Sequence, residues 1–282
     1  MSENFDEKVY KMPPTEFIEV TNNSRIAFTF NERMPVALTI NWQWVLAKIG
    51  KALIAGSASE VIQLLCSDID YVQLNNNAVE DIRSIIRQPI DENVLRETQA
   101  KIDSFKELMS EYLHNPQNNQ PRLDYLINES SFVVKKLKSL EVVGVGAFMI
   151  ASGFRLALLQ EKAKSDPTQR SNVKDRAIEY SDYAASVTPK LFELSVGQID
   201  KECKCTRWQS RPEGEERITE YECRYFDGKD IHIFRELSPN AVNECNKHRL
   251  QMFQDVVDNV NQTAAKPVRA AIDKWRELAA NI

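Results

Sequence analysis

VVGVGAFMIASGF, Val142 to Phe154, carries no charged side chain and, apart from Ser152, no polar one. Leu156, Ala157, Leu158 and Leu159 continue the run past the single charge of Arg155. The segment reads as a helix apolar on every side, and such a helix is either enclosed by protein or surrounded by lipid. Roughly 18 residues with one charge stand at the short limit for a membrane span, which needs about 20.

The flanking segments supply partners for this helix. On the N-terminal side a helix starts near Pro121, a favoured first helical residue, and sets Leu123, Leu126, Val133, Leu137 and Leu140 on one stripe. Its polar side carries Asp124, Asn128, Glu129 and Ser131, and Lys135, Lys136 and Lys138 crowd the tip of the helical hairpin. On the C-terminal side, Ser165-Asp166-Pro167 breaks the chain before a stripe of Val173, Ala177, Tyr180, Ala184, Val187, Leu191 and Leu194, with a kink or restart expected at Pro189.

Farther out, Asp91 begins a helix with Leu95, Ile102, Phe105, Met109 and Tyr112 on one face. Asn41 is the expected N-cap of a helix broken softly at Gly50 and Gly56, and Asp68–Gln88 reads as another, irregular across Asn75-Asn76-Asn77. Residues 1–20 are a polar lead-in, with short strands or an extended arm expected at 25–30 and 36–40. ITEYECRYF, the turn Asp227-Gly228 and IHIFREL read as a hairpin, extended to a meander by a strand at 204–209. Ser238-Pro239 opens a helix with Val242, Cys245, Phe253, Val256 and Val260 inward, and a last helix from Pro267 carries Ile272, Trp275 and Leu278.

Composition agrees with this helical pattern. Only 8 of 282 residues are Gly, where average usage gives about 20, which argues against an all-β protein and against glycine-rich phosphate loops. The net charge of −5 gives no reason to expect nucleic-acid binding. The expected fold is therefore all-α, a bundle of about seven helices around an apolar central helix with a small β-hairpin or meander insertion. Its expected parts are an N-terminal arm at 1–40, the bundle at 41–203, the insertion at 204–237, and C-terminal helices at 238–282 completing the bundle.

No catalytic motif is present. His114, His232 and His248 are far apart in sequence, and Gly144-Val145-Gly146 departs from a dinucleotide fingerprint because Met149 takes the third glycine's place. Neither an enzyme nor a cofactor is expected. Cys203, Cys205, Cys223 and Cys245 cluster around the hairpin, and their state is open between two disulfides, a zinc site that could include His248, and unpaired thiols. Trp42 and Trp44 beside Lys48 and Lys51 suit core packing better than a membrane interface.

Taken in order, the segments resemble the N-terminal pore-forming helical domain of the three-domain insecticidal delta-endotoxins (Cry toxins) and its relatives in Pir-type binary toxins. VEDIRSIIRQPIDENVLRETQAKIDSFKELMSEYL at 79–113 looks like the family's second and third helices, and 142–159 falls where the central fifth helix does. VKDRAIEYSDYAASVTPKL at 173–191 resembles the sixth helix through Tyr180-Ser181-Asp182-Tyr183-Ala184, and CNKHRLQMFQDVVDNV at 245–260 resembles the seventh. Two departures stand out: the hairpin lies where the family has a short loop, and the family's β-rich receptor-binding domains have no counterpart in this sequence.

The resemblance implies a pore-forming protein that inserts the hairpin at about 121–164 and oligomerises in a target membrane. Val142, Val143, Gly144, Val145, Gly146, Phe148, Met149, Ile150, Phe154 and Leu156 would enter lipid, while Asp124, Asn128, Glu129 and Ser131 would line water. The implied partners are membrane lipid and a receptor or partner protein. The first residues, MSENFDEKVYKMPP, lack the apolar stretch of a signal peptide, so the expected protein is soluble and released before it meets a membrane. The alternative is a non-lytic, cytoplasmic interaction protein that uses the β-hairpin to bind a partner.

Overall fold

The structure is a computed structural model describing residues 17–19, 41–116, 118–210, 218–236 and 240–282. The strands expected at 25–30 and 36–40 lie outside the described residues. Two compact units divide the chain, one holding the described residues of 31–196 with 256–282, the other those of 1–30 with 197–255.

The larger unit is a helical bundle. Its helices are α1 (Trp42–Ile54), α2 (Ala58–Gln63), α3 (Tyr71–Ile86), α4 (Glu92–His114), α5 (Gln120–Ser139), α6 (Val145–Ser165), α7 (Gln169–Val196) and α9 (Lys266–Asn281), and it also takes the end of α8 (Asn240–Val260). Side-chain caps set several helix starts. Asn41 accepts from the Trp44 N–H at 2.9 Å, Asp70 from Gln73 at 3.1 Å and Asp91 from Asn93 at 3.0 Å, each satisfying a donor that a helix start leaves unpaired.

α6 occupies the centre, packed against α1, α2, α3, α5, α7 and α9. Every residue from Val145 to Phe154 and from Leu156 to Leu159 is buried, so the all-round apolar character of the segment corresponds to enclosure on all sides. The expected stripes of α4, α5 and α9 are buried as well.

Several expectations need correction. α6 begins at Val145, not Val142, because Glu141 adopts a left-handed conformation (φ 51°) and turns the chain after α5. Val142, Val143 and Gly144 therefore lie in a buried turn. A Cβ on Gly144 would stand 2.7 Å from the Leu140 Cβ, so the turn folds back too tightly for a larger residue. α3 stays regular across its asparagines, whose side chains find partners: Asn75 Nδ2 donates to the Tyr71 carbonyl at 2.9 Å, and Asn77 Oδ1 accepts from Gln73 at 2.6 Å. The irregularity comes earlier, as a π-helical turn at Leu64–Asp68. α7 runs through Pro189 without a restart.

The smaller unit contains a sheet of β1 (Phe17–Glu19), β2 (Lys204–Ser210), β3 (Ile218–Phe226) and β4 (Ile231–Glu236), in the order β1-β4-β3-β2. β2, β3 and β4 form the antiparallel meander, while β1 lies parallel to β4, a strand not anticipated within the polar lead-in. Asp227 closes the β3–β4 turn by accepting the N–H groups of Lys229 and Asp230, both at 2.7 Å, and Gly228 supplies the positive φ of 95°.

Residues 240–255 of α8 belong to this unit rather than completing the bundle as expected for 238–282. The reason is covalent and steric: Cys245 is bonded to Cys203, and the His248 ring packs on Tyr225 and Phe234. Phe253, expected inward, is 39% exposed.

Candidate functional site

Two places gather chemistry, one in each unit. The first is the α5–α6 hairpin. Its membrane-facing candidates Val145, Gly146, Phe148, Met149, Ile150, Phe154 and Leu156 surround α6 and are fully buried. Phe148 meets Tyr180 and Tyr183 edge-on at 5.8 and 4.6 Å between ring centroids, and Phe154 meets Tyr71 at 5.6 Å. Burial pushes the Tyr183 hydroxyl up to about 12 and raises that of Tyr180, so both phenols stay neutral against the apolar helix.

The water-lining candidates occupy the outer side of α5. Asp124 and Asn128 are exposed, whereas Glu129 and Ser131 are half-buried. Asp124 forms an ion pair with Lys162 of α6 at 2.9 Å, and Glu129 pairs with Lys101 of α4. Lys136 binds Glu97 at 2.6 Å, and Arg122 pairs with Glu111. Ion pairs as open as these are each worth about 0–1 kcal/mol, so they orient α5 but do not lock it. Buried Leu123, Leu126, Val133, Val134 and Leu137 hold it much more firmly.

Arg155, the one charge inside the apolar run, donates from its guanidinium to the carbonyl of Ile127 on α5. The charge is thus sheltered by the other half of the same hairpin. Trp42 is buried, with Nε1 donating to Asp81 at 2.9 Å, whereas Trp44 is 50% exposed with Lys48 over its ring at 4.3 Å.

The second place lies in the smaller unit. Cys203–Cys245 and Cys205–Cys223 are disulfides, and Cys66 takes no part in them, its Sγ lying 2.9 Å from Met109 Sδ. Among the described residues no group of three or more His, Cys, Asp or Glu is arranged to hold a metal ion. The inward side chains of β3 and β4 are Cys223, Tyr225, His232 and Phe234, which alternate as strand pleating requires.

Here the fold builds a cluster that the sequence pattern does not reveal. His232 Nε2 lies 2.9 Å from Asp227 Oδ2, Tyr225 Oη lies 2.7 Å from His248 Nδ1, and the two imidazole centroids are 5.1 Å apart. Burial would raise the Asp227 carboxyl, but hydrogen bonds from His232 and from the N–H groups of Asp230 and Lys229 outweigh it and hold it at about 2. Burial, and then the neighbouring His232, lower His248 below the ordinary histidine range. The period-two alternation of β3 and β4 puts Tyr225 and His232 on one face, but carries no information that His248 meets them.

The chain matches no known family, curated protein or solved structure. The delta-endotoxin resemblance rests on segment order and residue character.

Proposed function

We propose that this chain is a pore-forming, toxin-like protein whose α5–α6 hairpin leaves the bundle, enters a target membrane and oligomerises there. The observation that carries the reading is the enclosure of α6 on every side from Val145 to Leu159, with Arg155 the one charge: a stretch with no polar face exchanges protein contacts for lipid while Arg155 keeps its partner in the hairpin.

Among the described residues no helix is long and apolar enough to cross a membrane. The apolar segment from Val142 to Leu159 would span about 27 Å as a helix, against a hydrocarbon core of about 30 Å. Insertion is therefore assigned to the hairpin, with local thinning of the bilayer covering the remaining distance. Arg155 keeps its Ile127 partner in that arrangement because both residues move together. Asp124, Asn128, Glu129 and Ser131 then line the water-filled side, and the three lysines near the tip attract anionic headgroups. Two disulfides suit a protein released into an oxidising environment.

A second reading keeps α6 enclosed and makes the chain a non-lytic interaction protein that binds a partner through its sheet. The lack of a membrane-length helix among the described residues favours it.

One experiment separates the two. A Cβ built at Gly153 lies 3.7 Å from the Ile49 Cβ, within the range that a disulfide bridges. The oxidised I49C/G153C variant pins α6 to α1. Pore formation predicts dye release from anionic liposomes by the wild type and none by the pinned variant. Absence of leakage by the wild type across pH and lipid composition, or equal leakage by both proteins, sinks the pore reading.

A further inference from the structure

The His232–His248 cluster has no part in the pore reading, and its chemistry stands independently of lipid. His248 reaches from α8 onto the meander, where Tyr225 of β3 and His232 and Phe234 of β4 face its ring. Asp227 in the β3–β4 turn holds His232 from the far side. From α8 itself, Asp255 favours a charge on His248, while Arg249 acts on Tyr225.

The Tyr225–His248 hydrogen bond suits a neutral His248 imidazole. Burial keeps the Tyr225 phenol protonated, so its O–H can donate to the unprotonated Nδ1 of His248 at 2.7 Å. Protonating His248 places a second N–H on the ring. Tyr225 must then turn to accept, and its own proton loses its acceptor. His232 is 1% exposed, and its Nδ1 has no hydrogen-bond partner among the described residues. Its ring centroid stands 5.1 Å from that of His248, so a charge gained by His248 sits against a buried ring.

We propose that this pair makes the seating of α8 on the sheet acid-labile: between neutral pH and about pH 5, charging of His248 loosens residues 241–252 from β3 and β4. The Cys203–Cys245 disulfide keeps the loosened segment tethered at one end. The device is an acid-triggered opening within the smaller unit, driven by loss of the Tyr225–His248 hydrogen bond when the half-buried His248 ring gains a proton, against the opposing pull of Asp227 and Asp255.

Amide hydrogen exchange on the full chain at pH 7.5 and pH 5.0, corrected for the intrinsic pH dependence of exchange, tests the proposal without a membrane. The expected result is a loss of protection in 241–252 of about tenfold or more at pH 5.0, with the centre of α6 unchanged and H248Q showing no such loss. Unchanged protection in the wild type, or an equal loss in H248Q, overturns it. Should H248Q fail to fold, ring-proton NMR of the wild type decides instead. Titration of His248 below about 6.5 supports the proposal, and titration at or above that value overturns it.

Discussion

Gly153 on α6 faces Ile49 on α1 so closely that a Cβ at position 153 would stand 2.6 Å from the Ile49 Cγ2. The missing side chain is what lets the two helices approach at the centre of the bundle. Helix propensity alone favours Ala over Gly by about 1 kcal/mol, yet overpacking a well-filled core costs about 1–3 kcal/mol. G153A is therefore expected to destabilise the bundle by about 1–2 kcal/mol in urea unfolding. I49A removes the obstructing methyl and costs about 2–5 kcal/mol alone. The double variant should lose less than the two single losses summed, and strict additivity would show that the contact is not limiting.

Arg155 offers a direct test of α6. Replacing it with Met removes the one charge within the apolar run while keeping much of the side-chain volume. The Ile127 carbonyl also accepts from the Ser130 hydroxyl at 2.9 Å, so R155M leaves it a partner. Stability should change by less than about 1 kcal/mol. On the pore reading, R155M should increase dye release at equal protein concentration, and a decrease would count against membrane entry by α6.

The two disulfides should contribute unequally. Cys203–Cys245 closes a sequence separation of 42 and Cys205–Cys223 one of 18. In the chain-entropy account their removal costs about 4 and about 3 kcal/mol respectively. Unfolding of C203S/C245S and C205S/C223S, followed by amide hydrogen exchange in the smaller unit, should show the larger loss in the first variant. Peptide mass mapping without reductant checks the pairing itself.

Acid should act on the smaller unit in two windows. His248 is lowered on folding, so the unfolded chain takes up its proton first, and stability present above about pH 6.5 is lost as pH falls through the lower folded value. Asp227, held at about 2, contributes stability present above about pH 3.9 and lost as pH falls through about 2. H248Q should abolish the first loss and retain the second, whereas D227N should cost about 2 kcal/mol at neutral pH and flatten the second. Urea midpoints measured between pH 8 and pH 2 read both.

Local and periodic features were legible in the residues. Asn41 and Asp91 announce helix starts because a short polar side chain there caps the N–H groups that the first turn leaves unpaired. The stripes of α4, α5 and α9 follow from helical spacing, and Asp227-Gly228 marks the hairpin because its backbone needs a positive φ. The apolar run from Val142 determined by itself that one helix lies inside a protein or a membrane, since no face of it tolerates water.

Only the tertiary structure decided where that run turns and what the distant residues do together. The α5–α6 turn depends on Glu141 adopting a left-handed conformation, which no apolar pattern records. The assignment of most of α8 to the sheet unit and the meeting of Tyr225, Asp227, His232 and His248 depend on separations that periodicity does not span. Helices and turns are set by neighbours a few residues apart. A disulfide or a contact between distant histidines exists only once folding has closed the loop that brings its members together.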